Sequence, residues 1–215
     1  MSSDAPPSAL PTLPRGRHKL PPEAVRASQE ERLLQAMLAL VGEHGYAGTS
    51  VPQVVARARV SRNAFYELYA DKTDCFLALC DRMADELLHE IAQPGADDWR
   101  GALRAGLRHY LHWWQERPAF SRTYFVELPS AGVRAVEQRE RQYARFRNMF
   151  VALGEWARQQ DPDLLPPHPL ASRAIVYAVT EIIADEVRSG RAAELGELED
   201  DLVTLIDGLL ARKSH

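Results

Sequence analysis

The chain has 215 residues, of which 46% are hydrophobic, and this suits one large domain or two small ones with a packed core. No apolar run approaches the roughly 18 residues of a membrane span, and the N-terminus has no apolar signal core. Two cysteines are too few for a disulfide framework and are expected to be small buried hydrophobes. We therefore expect a soluble, cytoplasmic protein with no membrane partner.

The net charge of −4 for the whole chain argues against a nucleic-acid partner, but the charge is unevenly distributed along the sequence. Residues 1–72 contain nine Lys/Arg and seven Asp/Glu, whereas residues 73–215 contain seventeen Lys/Arg and twenty-three Asp/Glu. The N-terminal third is therefore the basic part of the molecule. Its small excess of positive charge weakly favours a nucleic-acid contact there.

Residues 1–21 are predicted to form a disordered basic N-terminal arm. The first fourteen are rich in Pro, Ser and Ala, a composition that does not support a packed core. Arg15, Arg17 and Lys19 follow. A basic arm ahead of a helical reader can lie along the DNA minor groove, whereas a simple solvated tail would have the same composition.

Residues 22–72 contain three helical patterns. The first runs from Ser28 to Gly45, with apolar residues at helical spacing and a glycine placed as the C-terminal cap. The second begins at Thr49 or Ser50, and the third begins at Ser61 after a turn of about three residues, each with a hydroxyl as N-cap. Two short helices joined by so tight a turn must cross steeply, which predicts a helix-turn-helix DNA-binding domain.

The second helix of such a unit places its first turn in the major groove. Arg62 can pair bidentately with guanine and Asn63 with adenine, so these two are the predicted base contacts. Hydroxyl and ammonium groups around them are predicted to hold phosphates: Thr49, Ser61, Tyr66 and Lys72. The alternative is an ordinary helical hairpin with a solvated face.

The segment from Arg32 to Leu79 carries, in order, the glycine, the Thr-Ser pair, Val-Ser-Arg at the turn, Phe-Tyr in the third helix and Asp-Lys after it. This segment resembles the TetR family of transcriptional regulators. The resemblance implies an N-terminal DNA-binding module, a larger helical domain with an effector pocket, and a dimer. The helix after Asp71 would link the two parts, so that its movement changes the spacing of two recognition helices.

Two residues depart from the family pattern. The family usually has glycine before the Val-Ser of the turn, where this chain has Arg59. If the backbone needs a positive φ there, a non-glycine residue costs about 1 kcal/mol. Glu67 places a carboxylate in the recognition helix, where it either points away from DNA or reads a cytosine amino group.

No segment after residue 98 has the alternation of a strand, so we expect an all-α protein. Residues 73–215 are predicted to form the larger C-terminal helical domain for effector binding and dimerisation. Its predicted helices begin with 71–92, which links it to the DNA-binding module, and continue with 98–115, 118–128, 132–160, 170–190 and 194–212.

The middle of this domain is rich in aromatic residues. The resemblance implies an effector pocket among these helices, and such side chains suit a flat or apolar small molecule. An aromatic stripe at helical spacing is, for any one residue, more often plain core. The predicted ligand-binding residues are Tyr110, Trp113, Trp114, Phe120, Tyr124, Phe125, Phe146, Met149, Phe150 and Tyr177.

The last two predicted helices carry broad apolar surfaces. The resemblance implies that these helices form a four-helix homodimer interface, while they could otherwise be simple core helices. Two subunits would read a palindromic operator in double-stranded DNA and supply affinity that one short helix lacks.

No catalytic motif emerges: the sequence contains no Gly-rich phosphate loop, no H-E-x-x-H and no G-x-S-x-G. We therefore predict no enzyme activity, no catalytic residue, no cofactor and no metal site. The predicted function is a sequence-specific transcriptional regulator, a repressor released from its operator by a small ligand. The alternative is an all-helical small-molecule or lipid-binding protein, or an enzyme, without DNA binding.

Overall fold

The computed structural model describes residues 21–92, 95–128 and 132–212. The fold is all-α, as predicted, and no strand occurs within those ranges. The helices are α1 (Pro22–Gly48), α2 (Val51–Ala58), α3 (Arg62–Leu68), α4 (Lys72–Ile91), α5 (Trp99–Gln115), α6 (Pro118–Arg122), α7 (Val133–Gln160), α8 (Ala171–Arg188) and α9 (Glu199–Leu210). None of these helices is both long and apolar enough to cross a membrane.

Side-chain caps set the starts of α2, α3 and α4. Ser50 and Gln53 form a capping box at α2, in which the Gln53 side chain accepts from the Ser50 N–H at 2.8 Å. At α3, the Ser61 hydroxyl accepts from the Ala64 N–H at 3.1 Å. At α4, Asp71 accepts from the N–H of residue 74 at 2.8 Å. The predicted N-caps at residues 50, 61 and 71 are confirmed.

Helix α1 is longer than predicted and contains a break. It starts at Pro22 rather than residue 28, because proline is tolerated in a first helical turn, where its missing N–H has no partner to lose. Gly45 has φ 72° and ψ 170°, so the regular helix stops there, as expected, and the helical turn to Gly48 follows in a new direction. The break turns the chain toward α2.

A small core holds α1, α2 and α3 together. Helix α1 contributes Leu33, Met37 and Val41, α2 contributes Val54, and α3 contributes Phe65, and none of these side chains is more than 1% exposed. Burial of several large apolar side chains supplies most of the stability of so small a module. This packing fixes the face of α3 that points outward.

Arg59 follows α2 in the left-handed region, with φ 52° and ψ 45°. It is the one non-glycine residue with positive φ among the described residues. The positive φ that the turn was suspected to need is therefore present, and the arginine occupies it at a steric cost.

We expect Arg59→Gly to raise the free energy of unfolding by about 1 kcal/mol, because glycine adopts this conformation without a Cβ clash. Urea unfolding followed by circular dichroism measures the change. Arg59→Ala is the matched control, since it removes the guanidinium but keeps the strain. A gain of equal size in both variants would contradict the backbone explanation.

Two predicted helices of the larger domain are each divided. The helix expected over 118–128 is α6 followed by a π-helical segment, Thr123–Glu127. The Thr123 hydroxyl donates to the Ala119 carbonyl at 3.2 Å, a side-chain bond that competes with the helical ladder. The single helix expected over 194–212 is a 3₁₀ turn, Ala192–Leu198, followed by α9. There the Gly196 N–H bonds to the Gln115 side chain at 2.9 Å.

The larger domain is built around α4, α5, α7 and α8, with α9 packed on α5 and α8. Glu199, the first residue of α9, accepts from Arg104 at 2.9 Å and from Arg108 at 2.8 Å. Helix α4 also packs on α1, so one continuous helix connects the N-terminal module to the larger domain. A shift of α4 would therefore change the packing in both the N-terminal module and the larger domain.

Candidate nucleic-acid interface and ligand cavity

The first turn of α3 presents polar side chains outward. Arg62 and Asn63 are exposed, and the Tyr66 side chain one turn later is 50% exposed. On the opposite side Phe65 and Tyr69 are buried and anchor the helix, with ring centroids 5.7 Å apart. The arrangement offers a guanidinium, an amide and a phenol on one surface.

Ser61 combines two roles at this surface. Its oxygen accepts the Ala64 N–H, and the residue is exposed, so the hydroxyl hydrogen is still free to donate. A serine N-cap at a helix N-terminus is a favourable place for a phosphate, because the N–H groups there point at the anion. Glu67 is also exposed on α3 and adds negative charge to the same helix.

The prediction that the Thr49 side chain holds a phosphate does not fit the structure. Thr49 is only 2% exposed, and its hydroxyl donates to the Gly45 carbonyl at 2.8 Å. The Thr49 N–H, which would bond to the Gly45 carbonyl in a continuing helix, instead donates to the Tyr46 carbonyl at 3.2 Å, and the threonine hydroxyl takes its place. The hydroxyl therefore stabilises the turn and does not face outward.

Lys72 lies at the junction of α1 and α4. Its ammonium donates to the Tyr46 carbonyl at 2.9 Å and lies 4.2 Å above the centroid of the Tyr46 ring. Burial lowers the pKa of this ammonium. The group is part of the scaffold, and its two remaining N–H groups leave the predicted phosphate contact open. Arg15, Arg17 and Lys19 of the basic arm lie outside the described residues.

The larger domain contains a partly open cavity of about 290 Å³ between α4, α5, α6, the π-helical segment, α7 and α8. Its walls are mostly aromatic and aliphatic. The predicted ligand-binding residues that line it are Tyr110, Trp113, Trp114, Phe120, Tyr124, Phe125, Phe146, Met149 and Phe150. The helices thus bring together aromatic residues from three separate stretches of sequence.

Tyr177 does not line the cavity, and its assignment to the ligand site is corrected. Its neighbours Val176, Val179 and Thr180 face the cavity from α8, whereas Tyr177 is 38% exposed. The Tyr177 hydroxyl donates to the Glu140 carboxylate at 3.0 Å on the outside of the domain. The orientation of α8 about its axis thus turns Val176, Val179 and Thr180 toward the cavity and Tyr177 toward the outside.

The polar groups of the cavity wall are uncharged. Gln142, Tyr143 and Thr180 are among them and were not predicted from the sequence as ligand-binding residues. Among the described lining residues none is Asp, Glu, Lys, Arg or His. Tyr124 donates to the side chain of Gln142, which in turn donates to Asp81 on α4 at 3.2 Å. Gln142 is 2% exposed, and Gln138 one turn before it is 1% exposed. In the sequence, Gln138 and Gln142 are two uncharged amides four residues apart within the highly charged helix α7, and this spacing was the signal that could have indicated a buried polar pair.

Burial raises the pKa of the Tyr110, Tyr124 and Tyr143 hydroxyls, so all three are neutral phenols at physiological pH. The same desolvation opposes any other negative charge placed in the cavity. Cys80, which lines the cavity, and Cys75 are both buried and free, as expected. Burial raises the pKa of the Cys75 thiol to about 12, which keeps it an unreactive thiol.

The apolar residues of α8 and α9 divide into two sets. Ile175, Ile183 and Ile206 are fully buried within the chain, whereas Leu170, the residue just before α8, is 55% exposed and Leu205 is 38% exposed. The outer faces therefore retain apolar surface after the core has formed.

Residues 33–79 match the family model for the bacterial regulatory proteins of the tetR family. The transcriptional regulator AcuR of Cereibacter sphaeroides (strain ATCC 17023) is 28% identical over 178 residues, which cover 76% of this chain and 80% of AcuR. A TetR transcription regulator from Haloarcula marismortui has a similar fold, with a TM-score of 0.69 at 19% identity over 86% of this chain and 100% of that chain. The regulator FadR from Bacillus subtilis, solved with stearoyl-CoA, has a TM-score of 0.67 at 13% identity over 82% of this chain and 96% of that chain.

Proposed function

We propose that this chain, which belongs to the TetR family of bacterial regulatory proteins, is a repressor released from a palindromic operator by a small ligand. One observation carries the proposal: a single helix, α4, joins the module that exposes Arg62 and Asn63 to the domain that contains an aromatic cavity. Residues 22–72 would bind DNA in the cytoplasm, and residues 73–215 would bind the ligand and a second subunit.

At the DNA, Arg62 and Asn63 would read base edges from the major groove, while Ser61, Tyr66 and Lys72 would hold phosphates. The exposure of α3 supports this division, since the first-turn side chains point outward. Arg15, Arg17 and Lys19 would add affinity that does not depend on sequence. The Thr49 hydroxyl is left out of this set, because the Gly45 carbonyl already occupies it.

The dimer would form through the outer faces of α8 and α9. Leu170 and Leu205 are exposed there, together with the small residues Ala174 and Gly208. Small side chains allow two helices to approach closely, and exposed apolar ones supply burial energy. A two-fold dimer would place two α3 helices on a palindrome.

The ligand would be an uncharged apolar or aromatic molecule. A charged group would lose its hydration in a cavity whose described walls carry no opposite charge to pair with it. The stearoyl-CoA in the FadR structure is a ligand of that protein, and only its apolar stearoyl group resembles what this cavity would accept. The Tyr124 and Gln142 side chains would meet a single polar group of the ligand.

We expect the neutral dye 1-N-phenylnaphthylamine to bind at least about tenfold more tightly than 1-anilinonaphthalene-8-sulfonate, the same aromatic skeleton with a sulfonate added. Dye fluorescence titrations measure both affinities. Leu153→Trp, which adds bulk to a half-buried lining position, should weaken the neutral dye, whereas exposed Glu155→Ala should not. Equal affinity for the two dyes would contradict an uncharged ligand class.

The DNA part of the proposal is tested by selecting bound sequences from a pool of random duplex DNA at several salt concentrations. Recovery of a palindromic site, bound more weakly as salt rises, is the expected result. A folded protein that binds no DNA even at low salt would contradict it, and would favour a small-molecule-binding protein that uses the cavity alone.

A further inference from the structure

The π-helical segment Thr123–Glu127 touches both parts of the molecule. Tyr124 and Phe125 line the cavity and pack on Trp114, with centroid distances of 4.9 Å and 4.6 Å. At the end of the same segment, the Glu127 carboxylate accepts a hydrogen bond from the Tyr46 N–H at 2.9 Å. Five consecutive residues thus span the distance from the cavity wall to the DNA-binding module.

Tyr46 joins the DNA-binding module to the start of α4. The first two residues of α4 both bond to Tyr46. The Tyr46 carbonyl accepts from the Lys72 ammonium, and the Tyr46 hydroxyl forms a hydrogen bond with the Thr73 hydroxyl at 2.8 Å. Its ring packs on Phe76 of α4 at 5.0 Å, and Phe76 packs on Phe120 of the cavity wall at 6.4 Å. Anything that moves Tyr46 therefore moves the start of α4 and the entry to α2.

Gly45 is shaped to receive the Glu127 carboxylate. A Cβ at this position would lie 3.2 Å from both carboxylate oxygens, and φ is +72°. A side chain here would be strained by the backbone and would crowd the carboxylate. The break in α1 therefore both exposes the Tyr46 N–H and clears the space for its acceptor.

We propose that Glu127 is the positioning residue that couples the cavity to the DNA-binding helices, so that a ligand packed against Tyr124 and Phe125 weakens the bond from Glu127 to Tyr46. This inference rests on the proposed function, since it states how the same cavity regulates DNA binding. A ligand in the cavity would contact Tyr124, Phe125 and Trp114 together, because all three line it. Glu127 follows Phe125 by two residues in the same segment and shifts with it. Interrupted helices of this π type are frequent at functional sites.

The coupling can be measured with and without DNA, using 1-N-phenylnaphthylamine as the probe. Hydrogen exchange at the Tyr46 amide reports the bond directly in the DNA-free protein. Affinity for the duplex recovered by selection reports its effect on DNA binding. The variants are Glu127→Ala, which removes the acceptor, Glu127→Gln, which keeps an acceptor oxygen, and Glu155→Ala as an exposed glutamate control.

In the wild type we expect the dye to speed exchange at Tyr46 and to weaken DNA binding roughly 5- to 150-fold. In Glu127→Ala we expect dye binding at least as tight as in the wild type, because the bond no longer opposes it, fast exchange without dye, and a dye effect on DNA of about twofold or less. Glu127→Gln and Glu155→Ala should keep most of the wild-type effect.

The inference is overturned if saturating dye leaves Tyr46 exchange unchanged, or if Glu127→Ala retains the full effect of the dye on DNA. Failure of the proposed function looks different, because the wild type itself would then bind no DNA. In that case exchange at Tyr46 still decides whether the cavity and Tyr46 are coupled.

Discussion

Replacement of Phe65 by alanine is expected to lower the free energy of unfolding by about 3–5 kcal/mol and to abolish specific DNA binding. Phe65 is fully buried in the small core under α3, where its ring meets Tyr66 at 5.3 Å and Tyr69 at 5.7 Å. Its removal leaves a cavity that so few helices cannot refill. A loss of this size is a large part of the roughly 5–15 kcal/mol that stabilises a typical domain.

Denaturant unfolding of wild type and variant measures this effect. Tyr66→Phe is the matched control, because Tyr66 is on the same helix but half exposed and loses only a hydroxyl. We expect the control to change the free energy of unfolding by less than about 0.5 kcal/mol. A similar small change in Phe65→Ala would mean that the α1–α3 core does not hold α3 in place.

Arg62→Ala is expected to cost about 1–3 kcal/mol of binding free energy on the selected operator and to relax preference at one base pair of each half-site. The exposed guanidinium at the start of α3 can make a bidentate pair with guanine, and alanine cannot. Binding to random DNA should change much less. Equal losses on the operator and on random DNA would remove Arg62 from base reading.

The Arg62 result is interpreted against Lys72→Ala, which should weaken all duplexes alike and lower the slope of affinity against salt by about 1. Circular dichroism must accompany this variant, because Lys72 also holds the Tyr46 carbonyl. A Lys72→Ala protein that keeps its fold and its affinity for every duplex would restrict this lysine to a scaffold role.

Local chemistry explains why much of the fold could be predicted from the sequence. The capping side chains Ser50, Ser61 and Asp71 act within three residues of their partners, so the start of each helix is visible in a short window. Apolar spacing along each segment likewise predicted α4, α5, α7 and α8 to within a few residues of their observed ends.

Features that depend on how helices pack were missed or wrong. Thr49 looks like an exposed cap in sequence, but the break at Gly45 turns its hydroxyl inward. Tyr177 is an aromatic residue of the kind that lines pockets, yet the face of α8 that carries it points away from the cavity. Gln142 was not predicted, because its contact with Tyr124 depends on how α7 packs against the π-helical segment. The role of Glu127 depends on a partner 81 residues away in the chain.

The central claim is that filling the cavity changes DNA binding, and one titration tests it most directly. Fluorescence anisotropy would follow a labelled selected duplex bound to the wild-type protein as 1-N-phenylnaphthylamine is added, with the sulfonated dye as control. We expect the neutral dye to weaken DNA binding roughly 5- to 150-fold while the sulfonated dye has little effect. Full occupancy of the cavity by the neutral dye with unchanged DNA affinity would contradict a ligand-released repressor.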